Sequence, residues 1–156
     1  VARYGGVYEH SPWVAEEAAR LIGDSADAET VALLMAECVD NASAERQLAL
    51  IRAHPDLAGK AQIAGELTAD STAEQASAGL DQCSKVEYDR FQALNDAYKE
   101  KFGFPFVMAV RGSSREDILE AFGSRLHNDY DLEFETALAE IHKIARLRLE
   151  AMENPA

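Results

Sequence analysis

Of the four histidines in this 156-residue chain, His54 is the one whose neighbours suggest chemistry. It falls at the C-terminal edge of a helix that Ser43 opens, and that must end near Ala53 because the residue before Pro55 is pushed out of the α region. Carbonyl dipoles at a helix end favour an imidazolium, and Pro55 fixes the backbone beside the ring. A rigid imidazole whose charge changes near neutral pH suits proton transfer. The plainer reading of the same position is a C-capping histidine. His10 and His127 sit next to helix ends, and His142 lies beside Lys143 in the last helix, where surface or capping roles suffice.

Ser71-Thr72-Ala73-Glu74 matches a capping box, which by itself accounts for both Ser71 and Glu74. The same geometry would gather a hydroxyl, a carboxylate and free backbone N–H groups at one helix N-terminus, an arrangement able to hold a polar or anionic ligand. Arg111, between an apolar run and Gly112, could present its guanidinium beside a pocket or serve a surface salt bridge. His54-Pro55-Asp56 is the one local candidate for metal ligation, but ligands separated by proline would point apart, and no HExxH or HxH occurs. No metal is expected. Gly-rich phosphate loops and a GxSxG elbow are absent from the sequence. Cys38 and Cys83 form no CxxC pair and read as reduced structural thiols, in keeping with a reducing cytoplasm.

Helices must position these groups. Ser11-Pro12 supplies a cap and a first-turn proline for a helix carrying Trp13, Val14, Ala18 and Leu21, with Gly23 as its stop. Asp27 precedes Val31, Leu34, Met35 and Cys38 at helical spacing, and Ser43 opens a helix with Ala44, Leu48 and Ile51 on one face. Asp56 is expected to cap a short helix through Lys60 and Ile63, and Ser71 a further one towards Gly79. Ser84-Lys85-Val86-Glu87 is another capping box, its helix carrying Phe91, Leu94 and Tyr98 and ending at Gly103. Ser114 and Asp117 start a helix with Ile118, Leu119, Phe122 and Leu126. A last one from about Asp129 carries Leu138, Ile141, Ala145 and Leu149. Between Gly103 and Gly112 the apolar run lacks helical polarity, and Pro105 disfavours a helix start, so an extended buried segment near 103–111 is expected. These patterns predict an all-α fold of about seven to nine helices in one compact domain over residues 1–156.

Fifteen Lys and Arg against 28 Asp and Glu leave a net charge of −13. That excludes a general nucleic-acid binder and a polybasic membrane-surface protein, both of which need clustered cations. The strongly apolar run 102–110 falls well short of the roughly 20 residues that cross a bilayer. No signal peptide opens the chain, which begins at Val1 without Met, so upstream residues are expected to have been removed or left out. An anionic ligand would need a local positive site against this background.

Together the motifs match a family. His54-Pro55-Asp56-Leu57-Ala58-Gly59-Lys60 resembles the signature of the 2-oxo-4-hydroxy-4-carboxy-5-ureidoimidazoline (OHCU) decarboxylases, enzymes of urate breakdown. Gly65-Glu66-Leu67-Thr68, Ser71-x-x-Glu74-Gln75 and Ala78-Gly79-Leu80-Asp81 are similar to the next blocks. Phe91-x-x-Leu94-Asn95-x-x-Tyr98, Lys101-Phe102-Gly103-Phe104-Pro105-Phe106-Val107 and Val110-Arg111-Gly112 continue the likeness. Glu9-His10-Ser11-Pro12-Trp13-Val14 and Ile141-x-x-Ile144-Ala145-x-Leu147-Arg148-Leu149 extend it to nearly the whole chain. The functional positions show no departure; the N-terminus is short of the family's full first helix.

The resemblance implies an all-helical, cytoplasmic homodimer with no metal and no organic cofactor, acting on a small molecule and not on nucleic acid or membrane. It implies His54 as catalytic acid/base, and Glu74 as the group holding the ureido or ring N–H of the substrate. Ser71, Thr72, Ala73, Glu74 and Gln75 would form one wall of the site, and Pro55 would pack on the ligand. The backbone of Phe106, Val107, Met108, Ala109 and Val110 would offer hydrogen bonds, while Phe106 and Leu57 exclude water. Arg111 or a helix N-terminus would balance the substrate carboxylate, which Glu74 repels. OHCU carries its carboxylate next to a ring C=N bond, so the molecule has its own electron sink, and one face-selective proton transfer would give (S)-allantoin. On this reading the end of one helix faces the start of another across a small dry cleft. The alternative is a non-enzymatic acidic helical module that binds a basic protein, supported by the charge and the amphipathic helices.

Overall fold

Helix signals at this density produce helices. A computed structural model of the chain describes residues 6–19, 28–58 and 67–153, and within them the fold is all-α. The α-helices are α1 (Trp13–Ala19), α2 (Ala28–Asp40), α3 (Ala44–Arg52), α4 (Ala69–Ser77), α5 (Lys85–Phe102), α6 (Arg115–Arg125) and α7 (Tyr130–Glu153), with a 3₁₀ turn over Leu80–Gln82. No strand occurs among the described residues. The expected stop at Gly23, the cap at Asp27 and most of the short helix through Lys60 and Ile63 lie outside them.

Local capping explains most boundaries. Ser43 accepts the Arg46 N–H, and α3 ends with Ala53 as its cap, immediately before His54. Ser84 with Glu87 and Ser114 with Asp117 each form reciprocal capping boxes. Gly103 closes α5 in the left-handed region at φ 76°, which a residue without Cβ reaches freely. α1 starts one residue later than the Ser11-Pro12 pattern suggests, and the Ser11 hydroxyl donates to Glu9 O at 2.9 Å.

One cap departs from expectation. Ser71 does not open its helix: Thr68 does, its hydroxyl accepting the Ser71 N–H at 3.2 Å. Ser71 and Gln75, four residues apart, form the buried face of α4, so the helix must begin early enough to carry both. The N–H of Thr72 bonds Thr68 O at 2.9 Å within the helix, which removes the free amides expected beside Ser71 and Glu74.

The chain divides into two compact units, Val1–His54 with Leu138–Ala156 and Pro55–Ala137, and α7 runs through both. In the first, α1 packs on α2, and Val14, Val31, Met35, Val39, Leu50, Ile51, Ile141 and Leu149 are buried. In the second, Phe91, Tyr98, Phe104, Phe106, Ile118 and Phe122 form an aromatic core, with Phe106 stacked on Phe122 at 3.7 Å between ring centres. Residues 105–110 are neither helix nor strand, as the pattern suggested.

A segment without a ladder needs other partners for its carbonyls. Arg125 Nη1 donates to Val107 O at 2.7 Å, and the guanidinium lies 4.3 Å from the Phe106 ring centre. Arg125 Nε donates to Glu133, whose side chain is 0% exposed and also accepts from Tyr98 Oη at 2.5 Å and Asn128 Nδ2 at 2.8 Å. Removing one member of such a buried pair strands a charge. Arg125→Met is therefore expected to destabilise the protein by about 3–5 kcal/mol in urea unfolding; a loss below about 1 kcal/mol would show that Glu133 does not need the guanidinium.

Candidate active site

His54 follows directly from the end of α3. Its N–H donates to Ile51 O at 3.2 Å, and its ring packs so that only 7% of the residue is exposed. Nδ1 lies 3.1 Å from Leu50 O. A carbonyl oxygen only accepts, so Nδ1 carries the proton and Nε2 holds a lone pair. Nε2 is buried and has no hydrogen-bond partner among the described residues.

Burial lowers the His54 pKa from 6.5 to about 4, outweighing the opposing bond to the Leu50 carbonyl and the nearby Glu9 carboxylate; Arg148 and His10 lower it further. The expected change of charge near neutral pH is thereby displaced to acid pH, against the pull of the helix-end dipoles. At pH 7 the ring is neutral.

The first unit contributes a cation that the sequence reading passed over. Arg148 on α7 donates to Glu9 Oε2 at 2.8 Å and to Val7 O at 3.3 Å, and both charged residues are buried. Arg148 stands seven residues after Ile141 and three after Ala145, on the apolar face of α7. A lone charge at core spacing was the available signal. By contrast, Arg111 is exposed.

In the second unit the loop after Pro55 is bound to α4 through Gln75. Gln75 Oε1 accepts the Ala58 N–H at 2.9 Å, and its Nε2 donates to Asp56 O at 3.3 Å. Ser71 is buried and Glu74 half-buried, while Thr72 and Ala73 face solvent, with the Thr72 hydroxyl donating to Thr68 O at 2.9 Å. Leu57, Phe106, Val107 and Val110 are buried; Met108 and Ala109 are half-buried. Among the described residues, no three His, Cys, Asp or Glu side chains gather to hold a metal ion.

Comparison with known proteins gives this arrangement a class. The OHCU decarboxylase family model matches residues 1–150. A Haloferax volcanii protein named 2-oxo-4-hydroxy-4-carboxy-5-ureidoimidazoline decarboxylase is 47% identical over 149 residues, covering 96% of this chain and 86% of its own. The Bacillus subtilis uric acid degradation bifunctional protein PucL is 41% identical over 93% of this chain, which spans 28% of its length. Among solved structures, an (S)-allantoin synthase superposes with a TM-score of 0.76 at 32% identity, over 97% of this chain and 48% of that one. An OHCU decarboxylase structure matches with a TM-score of 0.75 at 22% identity and supports the fold, over 94% of both chains. The family model and the named relatives define an enzyme of the lyase class. The chain belongs to the OHCU decarboxylase family.

The His54 shift sets a sign for stability. Between pH 6.5 and about 4 the unfolded chain binds a proton at this ring that the folded chain declines, so stability falls as pH drops through that window. Replacing His54 with Gln should remove this component, and the stability difference between variant and wild type should drift in the variant's favour from pH 6.5 down to 4. A pH-independent difference in denaturant titrations would show that the ring is solvated.

Proposed function

We propose that this chain decarboxylates OHCU to (S)-allantoin, with His54 moving the proton and the α4 face that carries Ser71 and Glu74 holding the substrate. The observation that carries the reading is the buried His54 ring, whose Nδ1–H is committed to Leu50 O and whose Nε2 lone pair has no partner among the described residues. The named relatives in urate degradation supply the substrate class.

The chemistry balances around that lone pair. As the C–C bond to the carboxylate breaks, CO₂ leaves and the bonding electrons flow towards the adjacent imine nitrogen, which takes a proton from solvent. His54 Nε2 accepts the proton of the neighbouring hydroxyl, so that oxygen becomes the product carbonyl, and returns the proton to the ring carbon bearing the ureido group. Delivery from a fixed nitrogen to one face yields one enantiomer. A neutral imidazole is the state this sequence needs first, and burial supplies it.

Glu74, half-buried on α4, accepts from ureido or ring N–H groups, with buried Ser71 one turn before it. Pro55 and the backbone of residues 106–110 complete the contacts. For the substrate carboxylate the candidate cation is Arg111, exposed after the apolar segment, since buried Arg148 is held by Glu9.

His54→Ala is expected to abolish acceleration of OHCU decay, followed by ultraviolet absorbance, and the excess of (S)-allantoin, followed by circular dichroism. Turnover near the wild-type level in a folded variant would remove the proton-transfer role. The acid limb of kcat/KM should fall near pH 4 rather than near 6.5. Glu74→Gln should raise KM about tenfold or more while the helix remains folded, since a charge-assisted hydrogen bond contributes about 1.5–3 kcal/mol; an unchanged KM would confine Glu74 to the helix surface.

A further inference from the structure

Three consecutive backbone carbonyls after Pro55 are taken by side-chain amides. Asp56 O accepts from Gln75 Nε2 at 3.3 Å, Leu57 O from Asn95 Nδ2 at 3.0 Å, and Ala58 O from Gln92 Nε2 at 2.8 Å. Gln75 Oε1 accepts from the Ala58 N–H at 2.9 Å, and Lys99 Nζ donates to Asp56 Oδ2 at 2.7 Å. Gln92, Asn95 and Lys99 stand at i, i+3 and i+7 on α5, so one stripe of a long helix reaches the whole loop.

The loop is also strained. Ala58 holds φ 51°, in the left-handed region that a residue with a Cβ rarely adopts. Such a conformation persists only where surrounding contacts over-determine it, and here those contacts come from two helices. Asn95 is 1% exposed, and Leu57 and Ala58 are buried, so bonds of this kind cannot be replaced by bulk water. Gln75, placed in the substrate wall by the family resemblance, directs both ends of its amide at the loop.

We infer that Gln92 and Asn95, together with Gln75, are positioning residues for the decarboxylation. They hold the backbone of 56–58, and through it Pro55 and the peptide-linked His54, so that the imidazole delivers its proton to one face of the substrate carbon. The inference rests on the reaction proposed above and adds to it a source of stereochemical control outside the substrate contacts. Misplacement of a reacting group by about 1 Å is enough to lower a rate by two orders of magnitude.

The test uses the full chain with OHCU generated enzymatically from urate. Gln92→Leu removes the donor at a half-buried position, Asn95→Asp removes the one to Leu57 O, and Gln92→Lys keeps an N–H donor of similar reach. In Gln92→Leu and Asn95→Asp, kcat should fall tenfold or more with KM within threefold, and enantiomeric excess, corrected for spontaneous decay, should drop. Amide exchange at Ala58 should quicken in Gln92→Leu, and Gln92→Lys should restore the enantiomeric excess. A folded Gln92→Leu protein with wild-type kcat and enantiomeric excess overturns the inference, and so does a rate that falls only with the folded fraction while enantiomeric excess stays full. Should Asn95→Asp fail to fold, the two Gln92 variants decide. A wild-type protein that leaves OHCU decay unchanged overturns the reaction itself, a result distinct from normal catalysis in the variants.

Discussion

The hydrogen bond between His54 Nδ1 and the Leu50 carbonyl is the interaction on which the proposed chemistry depends. It fixes which ring nitrogen is protonated, because the carbonyl can only accept, and it leaves the Nε2 lone pair without a hydrogen-bond partner among the described residues. Two opposed effects then act on the ring's charge. A helix-end dipole contributes about 0.3–1 kcal/mol in favour of the cation. Burial lowers the pKa from 6.5 to about 4, and each pKa unit corresponds to roughly 1.4 kcal/mol. Desolvation wins, and the ring is a neutral base in the folded protein.

The same physics governs the other buried polar groups. Glu9 and Arg148 neutralise each other in the first unit, and Glu133 collects Tyr98, Arg125 and Asn128 in the second. Neither charge set is placed where water could screen it, so each interaction is stronger than its counterpart on the acidic surface. Arg125 carries that order from Glu133 to the Val107 carbonyl, giving the irregular apolar segment a defined backbone although it has no ladder. In the loop after Pro55, amide side chains perform the equivalent task without net charge.

Much of this molecule is legible along the chain. Ser43, Ser84 and Ser114 cap helices as their spacing indicates, and Pro55 ends α3 at the expected place. The error at Ser71 is instructive. Thr68 and Ser71 both offer a capping hydroxyl, and Ser71-x-x-Glu74 is the more familiar pattern, yet Thr68 caps the helix because Ser71 and Gln75 must share its buried face. Arg148 was passed over for a related reason: a charged residue at core spacing has no local partner to announce it, and Glu9 lies at the far end of the sequence.

By itself, then, the sequence determined the helical class and most helix ends, since these depend on backbone bonds and side chains a few residues apart. Tertiary structure alone decided the protonation state of His54, the pairing of Arg148 with Glu9, and the partners of the 56–58 carbonyls. Each of those depends on desolvation or on groups distant along the chain, and neither leaves a periodic signature in the order of residues.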